Sequence, residues 1–557
     1  MRPNLSTLLH RVYPAEQAAA VLRGIADLQR KYAEAPSRPL SLSERDVLLI
    51  TYGDQVQHAG EPPLRTLHRF LDRWVKGAIN SVHLLPFYPY SSDDGFSVVD
   101  YYRVNPELGT WEDIQQLSED YQLMFDAVIN HISQASDWFQ GFLAGDQTYA
   151  AYFIEEDPQK DYTRVVRPRV HPLLHDYVDA QGRTRHCWTT FSRDQLDLNY
   201  KNPRLFLHIL DVLLFYAARG AQLIRLDAIG FLWKEDDSSC IHLPQTHQLI
   251  QVMRAVLESV FPGTIFITET NVPHEENISY FGDGYNEAQM VYNFTLPPLL
   301  AFSILRGDAQ RFNHWARSLV LPSSEVCFFN FTASHDGVGL RPVQGILSAE
   351  EVQLLIDAAT ASGGRVSYKT DSDGSQSPYE INCNYFSLLQ AGAGASPESI
   401  KRMLLSQAVL LAFPGVPALY FHSLFGSQND TEGMLRSGSN RRINREKLNY
   451  ERIHQELEAE EGPRHQIYSR LCELLRRRNE DARFHPLAPF AFPDFGESII
   501  AIERQDRAGE QSLLLLFNVS AEPRILQLPR TGLRDCWSGN ICSGELRLGA
   551  YDFAWLE

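Results

Sequence analysis

The stretch NPRLFLHILDVLLFYAARGAQLIRLDAIG, residues 202–230, predicts a helix followed directly by a buried strand. Asn202 suits the N-cap, Pro203 suits the first helical turn, and Gly220 is a common helix terminator. The residues AQLIRL that follow form a mostly apolar strand, yet the run ends on Asp227. Because a buried carboxylate without partners is costly, a strand that ends on one indicates a specific role for it.

Seven further strand runs of this kind occur along the chain. Helical segments such as LRTLHRFLDRWV (64–75) and TWEDIQQLSED (110–120) separate most of them. Such alternation predicts a parallel sheet, and eight strands predict an α/β fold of the closed (β/α)8 type, a TIM barrel. An open doubly wound sheet is the alternative, but no GxGxxG follows the first strand. The eight predicted strand runs are 47–54, 79–90, 123–133, 221–230, 264–272, 288–296, 325–337 and 416–426.

Two segments between these strands are too long to be simple connections. Residues 134–200 follow the third strand, and residues 338–410 separate the seventh from the eighth, so we predict an inserted subdomain in each. From residue 486 the pattern changes to alternating strands. We therefore expect a helical N-terminal extension (1–45), a catalytic barrel with two insertions (46–485) and a C-terminal all-β domain (486–557).

Composition narrows the class of protein. The chain has 557 residues, 51 Lys and Arg against 69 Asp and Glu, and a net charge of -18, which disfavours nucleic acid and anionic membranes as partners. Pro and Gly interrupt the longest apolar runs, and the first residues lack the apolar core of a signal peptide. The 7 cysteines are scattered and include no CxxC pair, which indicates free thiols and a cytoplasmic location.

Three other strand runs also end on charged or polar groups. They are DAVINHIS (126–133), IFITETN (265–271) and TASHDG (332–337). In a barrel of this type the carboxyl ends of the strands and the loops after them form the active site. A single strand-end Asp is usually a turn or a helix cap, but four such ends together favour an active site.

The spacing within these runs indicates acid–base chemistry. Arg225 and Asp227 point to the same side of a strand, so the cation favours an ionised Asp227, although a structural ion pair is an alternative. An apolar surround would raise the pKa of Glu269 towards that of a general acid. His131, which a buried structural role would also explain, and the pair His335–Asp336 add hydrogen-bonding groups. One ionised carboxylate and one protonated carboxyl form the pattern of retaining glycoside chemistry.

At these residues the sequence resembles the α-amylase-type glycoside hydrolases. The four stretches match the four signature regions of that family in order, and the resemblance extends from about residue 46 onward. It implies Asp227 as the nucleophile, Glu269 as the acid/base and Asp336 as the stabiliser of the transition state. It also implies that His131, His335 and Arg225 bind the glucosyl unit.

The finer resemblance is to the sucrose phosphorylase branch of that family. DDGFSVVDY, RPRVHPLLHDY, PYEINCNYF and RRINREKL match it, and Glu380 with SLFGSQND is most similar to the glucosylglycerate phosphorylases. The resemblance implies transfer of a glucosyl unit from an α-glucoside, best 2-O-α-glucosylglycerate, to inorganic phosphate, giving α-glucose 1-phosphate. The alternatives are phosphorolysis of sucrose or sucrose 6'-phosphate, and an α-glucoside hydrolase or transglucosidase.

Phosphate and glycerate are anions, so a site rich in carboxylates needs local cations. Arg167 and Arg169 are candidates for phosphate, although a solvated loop would explain them too. Arg441, Arg442 and Arg445 are candidates for the glycerate carboxylate, and the sequence leaves open which of them reaches the site. Four further substrate-binding candidates are Asp93, Phe96, Tyr379 and Glu380, of which Glu380 either holds the arginines in place or binds glycerate hydroxyls.

The predicted chemistry requires no cofactor and no metal. Asn130 stands where calcium-binding members of the family have a ligand, whereas enzymes of the sucrose phosphorylase type generally work without calcium. The expected partners are therefore a small glucoside and inorganic phosphate, and the sequence leaves a homodimer open.

Overall fold

Eight parallel strands form a closed barrel at the centre of the protein. The computed structural model describes residues 4–370 and 375–557, and all eight predicted strand runs contribute a barrel strand. Their side chains are almost entirely buried, which explains why the runs are apolar throughout. The barrel strands are β1 (Leu48–Thr51), β2 (Ser81–Leu84), β3 (Gln122–Ala127), β4 (Ala221–Leu226), β5 (Ile265–Thr268), β6 (Met290–Tyr292), β7 (Cys327–Phe331) and β8 (Val416–Tyr420).

Each barrel strand pairs in parallel with its neighbours in the chain, and β8 closes the barrel against β1. Asp126 on β3 lies opposite Arg225 on β4, and Arg225 lies opposite Ile267 on β5. This register places Asp126 and Arg225 side by side inside the barrel. The (β/α)8 prediction is confirmed, and the open doubly wound sheet is excluded.

Helices surround the barrel and precede it. The predicted helix after Asn202 runs from Pro203 to Ala218, and the Asn202 side chain accepts hydrogen bonds from the first-turn N–H groups, 2.9 Å from Arg204 N. Gly220 follows with a φ of 104°, in the left-handed region that favours glycine. The helices are Leu5–His10, Ala15–Tyr32, Pro63–Trp74, Trp111–Asp120, Asp137–Ala144, Pro203–Ala218, Pro244–Val260, His274–Ile278, Leu296–Arg306, Gln310–Arg317, Ala349–Ala361, Tyr385–Gln390, Pro397–Ala412, Phe421–Leu424, Thr431–Ser437, Tyr450–Glu458 and Pro463–Arg478.

The predicted strand boundaries were too long at the carboxyl ends. The run 123–133 was wrong as a single strand, because the chain leaves the barrel after Ala127 and His131–Ser133 pairs with Gln195–Asp197 instead. The run 416–426 ends at Tyr420 and continues as a short helix. Apolar composition alone does not mark the point where a buried strand becomes a buried loop or helix.

Smaller sheets lie within the two predicted insertions and after the barrel. Residues 134–200 contain two antiparallel pairings, one of them with His131–Ser133, and residues 338–410 contain a three-stranded sheet. Residues 1–3 and 371–374, which belong to the predicted N-terminal extension and second insertion, lie outside the described residues. The strands outside the barrel are Val56–Gln57, His131–Ser133, Leu174–Val178, Thr184–Trp188, Gln195–Asp197, Val338–Gly339, Arg365–Thr370, Gln376–Asn382, Leu448–Asn449, Phe490–Ala491, Ile499–Gln505, Ser512–Asn518, Arg524–Gln527, Glu545–Leu548 and Phe553–Leu556.

The range 486–557 holds a four-stranded antiparallel sheet and a separate two-stranded one. Two helices occupy most of the range predicted as the N-terminal extension. The exact division into domains stays a prediction. Among residues 4–370 and 375–557, no helix has the length and apolar character needed to cross a bilayer.

Candidate active site

The carboxyl ends of the barrel strands surround a cavity of about 540 Å³. Asp227 is the first residue after β4, Glu269 is the first after β5, and Asp336 lies in the loop after β7. All three line the cavity, at the end of the barrel where this fold places its active sites. Eight other predicted residues line it too: Asp93, Phe96, His131, Arg169, His335, Tyr379, Glu380 and Arg441.

Arg225 lies behind two of these carboxylates, inside the barrel. Its Nη1 is 2.7 Å from Asp227 Oδ1 and also contacts Asp126, while its Nη2 is 3.8 Å from Glu269 Oε1. Asp126 is held from its other side by His83 Nε2 at 2.6 Å. The predicted Arg225–Asp227 pair is therefore confirmed, and Asp126 shares its cation.

Burial raises the pKa of both Glu269 and Asp227. Burial, with the nearby charges of Asp227 and Asp336, raises the pKa of Glu269 to about 7 against the opposing effect of Arg225. Burial also raises the pKa of Asp227, to about 6, because desolvation outweighs the attraction to Arg225. The expectation that the cation keeps Asp227 permanently ionised is therefore corrected, because Asp227 takes up a proton as the pH falls through about 6. Of the two groups, Glu269 holds its proton to the higher pH.

The chain between these two carboxylates adopts an unusual conformation. Ala228, directly after Asp227, has a φ of 47° and a ψ of 32°, which is rare for a residue with a side chain. In this position Ala228 N donates a hydrogen bond of 2.9 Å to Glu269 Oε2. The strained residue thus joins the ends of β4 and β5 and orients Glu269.

Asp336 is in a different electrostatic environment from the other two. Burial alone would raise its pKa, but the Arg441 guanidinium, with Arg445 and Arg225, lowers the pKa well below the ordinary range. Arg441 Nη1 is 2.5 Å from Asp336 Oδ1, and His335 Nε2 is 3.4 Å from Oδ2. Burial lowers the pKa of His335, so its ring is neutral at physiological pH. The His335 ring stacks on Phe96 with centroids 4.5 Å apart.

Three arginines hold the carboxylates at this site, and each contacts at least two of them. Arg225 contacts Asp126 and Asp227. Arg441 contacts Asp336 and, through Nε and Nη2, both oxygens of Glu380 at 3.1 and 2.8 Å. Arg445 Nη1 is 3.5 Å from Asp93 and 3.0 Å from Asp94. Among the described residues, the nearest cation to Glu269 is Arg225, at 3.8 Å.

Residues 134–200 complete the wall beside β3. His131 Nε2 is 3.0 Å from Phe96 O, and Gln195 Nε2 is 3.0 Å from the same oxygen and 3.2 Å from the His131 ring. Burial lowers the pKa of His131. The antiparallel pairing of His131–Ser133 with Gln195–Asp197 places these side chains together.

A buried lysine lies beside Asn130, the residue that the resemblance places at a calcium-ligand position. Lys234 Nζ is 2.5 Å from Asp197 Oδ2 and 3.1 Å from Asn130 Oδ1, and it also donates to Phe231 O. An ammonium group against a carboxylate and an amide oxygen occupies the position that a hard cation would need. Asn130 and Asp197 therefore do not fit a metal site while Lys234 is present.

The two arginines of the sequence RPR (167–169) lie in different environments. Arg169 lines the cavity, and its guanidinium lies 5.4 Å from the Tyr379 ring and 5.8 Å from the Phe191 ring. No carboxylate of the described residues lies within 4 Å of Arg169. Arg167 is not part of the lining and donates to His171 O. Arg442 is also outside the lining, whereas Arg445 reaches the site through Asp93 and Asp94.

Several residues of the site were not predicted from the sequence. Gln195 and Lys234 reach it through contacts between segments far apart in the chain, and no periodic pattern marks them. His83, by contrast, interrupts the apolar run of β2, which is the same signal that identified Asp227. Others that line the cavity are Ser92, Phe191, Ser192, Asn271, Phe294, Ser367, Tyr368, Ser439 and Asn440.

Comparison with known proteins identifies close relatives. Residues 73–319 match the family described as the catalytic domain of α-amylase. Glucosylglycerate phosphorylase from Escherichia coli (strain K12) is 45% identical to this chain over 92% of each chain. Glucosylglycerate phosphorylase from Spirochaeta thermophila is 47% identical over 94% of this chain and 92% of its own length.

A crystal structure of sucrose 6F-phosphate phosphorylase from Thermoanaerobacter thermosaccharolyticum has a similar fold. The TM-score is 0.77, with 92% of this chain and 99% of that chain covered. The two sequences are 22% identical, so this likeness shows the α-amylase-type (β/α)8 fold alone.

Proposed function

The chain belongs to the family of the glucosylglycerate phosphorylases, and we propose that it transfers a glucosyl unit from 2-O-α-glucosylglycerate to inorganic phosphate. The product is α-glucose 1-phosphate. The observation that carries this proposal is a pair of carboxyl groups in one cavity. Asp227 is hydrogen-bonded to Arg225, and burial raises the pKa of Glu269 to about 7. A nucleophile beside a protonated acid is what a retaining glucosyl transfer needs.

In the first step an Asp227 oxygen attacks the anomeric carbon, and the bond from that carbon to the glycerate oxygen breaks. Glu269 gives its proton to the departing oxygen, so glycerate leaves as an alcohol and Glu269 becomes a carboxylate. Asp227 then holds the glucosyl unit through an ester bond. The hydrogen bond from Ala228 N to Glu269 Oε2 stabilises the carboxylate that this step creates.

In the second step a phosphate oxygen attacks the same carbon, and its bond to Asp227 breaks. Glu269 takes the proton from the attacking P–OH group, so both carboxyl groups return to their starting states. Two successive inversions retain the α configuration. The reverse reaction uses the same groups in the opposite order.

Unpartnered polar atoms support a polyhydroxyl ligand at this site. Among the described residues, Arg445 Nη2, His335 Nδ1 and Asn271 Oδ1 are buried and make no hydrogen bond. Such groups in a folded protein indicate a missing partner, and sugar hydroxyls both donate and accept. We assign the glucosyl unit to the part of the cavity beside Asp336 and the stacked pair of Phe96 and His335.

Two arginines support an anionic acceptor. Arg169 lines the cavity without a carboxylate partner among the described residues and donates from Nη1 to Pro168 O, so its other N–H groups are available for phosphate or carboxylate oxygens. Arg441 faces the same space, held by Glu380. Of the two roles expected for Glu380, holding an arginine in place is the one this contact supports.

A competition assay tests the acceptor. The enzyme is given α-glucose 1-phosphate with equal glycerate and glycerol, and both products are measured. We expect glycerate to be preferred about 10- to 150-fold, the value of one charge-assisted contact that glycerol lacks. Equal use of the two acceptors would reject the glycerate site.

The same assay separates the other candidate activities. A preference for fructose or fructose 6-phosphate would make the enzyme a sucrose or sucrose 6'-phosphate phosphorylase. Release of free glucose at the same rate with and without phosphate would make it a hydrolase. The family membership and the arginines of the site support phosphorolysis of glucosylglycerate over both of these alternative activities.

We further propose that the enzyme works in the cytoplasm on small molecules. All 7 cysteines are free thiols, and 5 of them are buried, which suits a reducing compartment. A homodimer stays a prediction, and light scattering of the purified protein at several concentrations tests it.

A further inference from the structure

Arg441 connects the two halves of the site. It belongs to the 3₁₀ helix Asn440–Asn444 and contacts Asp336 with Nη1 and Glu380 with Nε and Nη2. The Arg441 side chain is 19% exposed and lines the cavity. One guanidinium therefore links Asp336, which lies beside the glucosyl unit, to Glu380, which holds the arginine near the acceptor.

The two contacts of Arg441 differ in quality. Glu380 accepts two hydrogen bonds from the guanidinium, at 3.1 and 2.8 Å, which is the strong fork arrangement. Asp336 Oδ1 is 2.5 Å from Nη1 but accepts no hydrogen bond of ordinary geometry from any described residue. Arg441 thus holds Glu380 through two atoms and Asp336 through one, so an anion that binds Nη1 breaks the single contact and leaves the fork to Glu380 in place.

Asp336 keeps other cationic and polar neighbours when Arg441 is displaced. Arg445 Nη2 is 3.7 Å from Asp336 Oδ1, and His335 Nε2 is 3.4 Å from Oδ2. Arg445 is 2% exposed and is anchored by Asp94 and by His335 O. Asp336 keeps these neighbours after losing Arg441, and its Oδ1 can then accept a hydrogen bond from a sugar hydroxyl.

We propose that Arg441 is a specificity-determining residue. Its guanidinium stays paired with Asp336 until an anionic group of the acceptor binds the guanidinium and breaks that pair. This inference rests on the proposed function, in which every acceptor carries a carboxylate or a phosphate. The anion competes with Asp336 for Nη1, and Asp336 then binds the glucosyl unit. Water and neutral polyols carry no charge with which to compete, so the glucosyl-enzyme is protected from them.

The arrangement makes the two binding events cooperative. A ligand in the glucosyl position and an anion in the acceptor position each favour the state in which Arg441 has left Asp336. Binding of one therefore strengthens binding of the other by the same factor. In the absence of an anion, Arg441 competes with the sugar for Asp336.

Glucose binding measured by calorimetry tests this competition. For the wild-type enzyme we expect saturating glycerate or phosphate to tighten glucose binding about tenfold, and glycerol to leave it unchanged. For Arg441→Gln we expect tighter glucose binding than wild type without any anion, and no further effect of glycerate. Arg436→Gln removes a 71% exposed arginine from the neighbouring helix and is the matched control, with wild-type behaviour expected.

Glu380→Gln should change glucose binding in the opposite direction to Arg441→Gln. It therefore separates the proposed competition from a general loss of binding. Without the Glu380 charge, Arg441 pairs more firmly with Asp336, so glucose binding in the absence of anions should weaken. Unfolding curves of both variants establish that they are folded. If both variants weaken glucose binding, or if glycerate tightens it equally in wild type and Arg441→Gln, the proposal is wrong.

The outcomes also separate this inference from the proposed function. If glycerate and phosphate leave glucose binding of the wild type unchanged while Arg441→Gln still tightens it, Arg441 does compete for Asp336 but the anionic acceptor is rejected. If glycerate is the preferred acceptor in the competition assay and Arg441→Gln does not tighten glucose binding, the function stands and the competition is rejected.

Discussion

Arg225 Nη1 donates a hydrogen bond of 2.7 Å to Asp227 Oδ1 from inside the barrel. The same guanidinium reaches the Glu269 carboxyl group only at 3.8 Å. Burial raises the pKa of Asp227 from 3.8 to about 6 and that of Glu269 from 4.5 to about 7. Glu269 has the higher ordinary pKa of the two, so it keeps its proton to a higher pH than Asp227 does.

This difference predicts a narrow, bell-shaped pH dependence of kcat/KM for phosphorolysis. Asp227 must be ionised, so activity falls as the pH drops through about 6. Glu269 must be protonated, so activity also falls as the pH rises through about 7. Initial rates between pH 4 and pH 9 at low substrate concentration measure both limbs. A flat profile across pH 5–8 would contradict this assignment.

Glu269→Gln should separate donors by their leaving groups. We expect it to reduce turnover of glucosylglycerate at least 100-fold, since the departing oxygen then receives no proton. Glucosyl fluoride should still load the enzyme, because fluoride leaves without an acid. Asp227→Asn is the matched control and should fail with both donors. The assignment of Glu269 fails if the variant loses activity equally with the two donors.

Arg169→Gln should weaken phosphate binding far more than Arg167→Gln. Arg169 lines the cavity, whereas Arg167 is turned to His171 O, so the two variants remove the same charge from one loop. We expect kcat/KM for phosphate to fall about 10- to 150-fold in the first variant, the value of one charge-assisted contact. Steady-state kinetics with varied phosphate measure both. Equal losses would indicate a general effect of loop charge.

Lys234→Met should destabilise the protein and the wall that carries His131. The substitution leaves Asp197 buried without its cation, which typically costs about 3–5 kcal/mol. Urea unfolding measures this loss, and a higher KM for the glucosyl donor is expected with it.

Because Lys234 fills the space between Asn130 and Asp197, we also expect EDTA to leave wild-type activity unchanged. Loss of activity in EDTA that calcium restores would contradict this interpretation.

The sequence predicted those parts of the protein that local pattern determines. All eight barrel strands were found because each is a short buried run, and Asp227 and Glu269 were found because they follow such runs directly. The ends of the strands were less certain, since Asn130 and His131 continue an apolar run while leaving the barrel.

Contacts between distant segments were beyond prediction. Gln195 and Lys234 meet the strand-end residues only because His131–Ser133 pairs with Gln195–Asp197. Arg167 and Arg169 are two residues apart on an irregular loop without a period, so nothing local distinguished the one that faces the cavity. The pairing of Arg441 with Glu380 joins residues 61 positions apart.

The origin of the two halves of the cavity has a consequence for how such enzymes diversify. Asp227 and Glu269 sit on the rigid rim of the barrel, whereas Arg169 and Glu380 come from excursions that leave it. The carboxyl groups of the chemistry and the groups that select the acceptor therefore lie on different segments of the chain. Grafting residues 167–169, 365–382 and 438–445 into a relative of the same fold should transfer the acceptor preference without replacing Asp227 or Glu269.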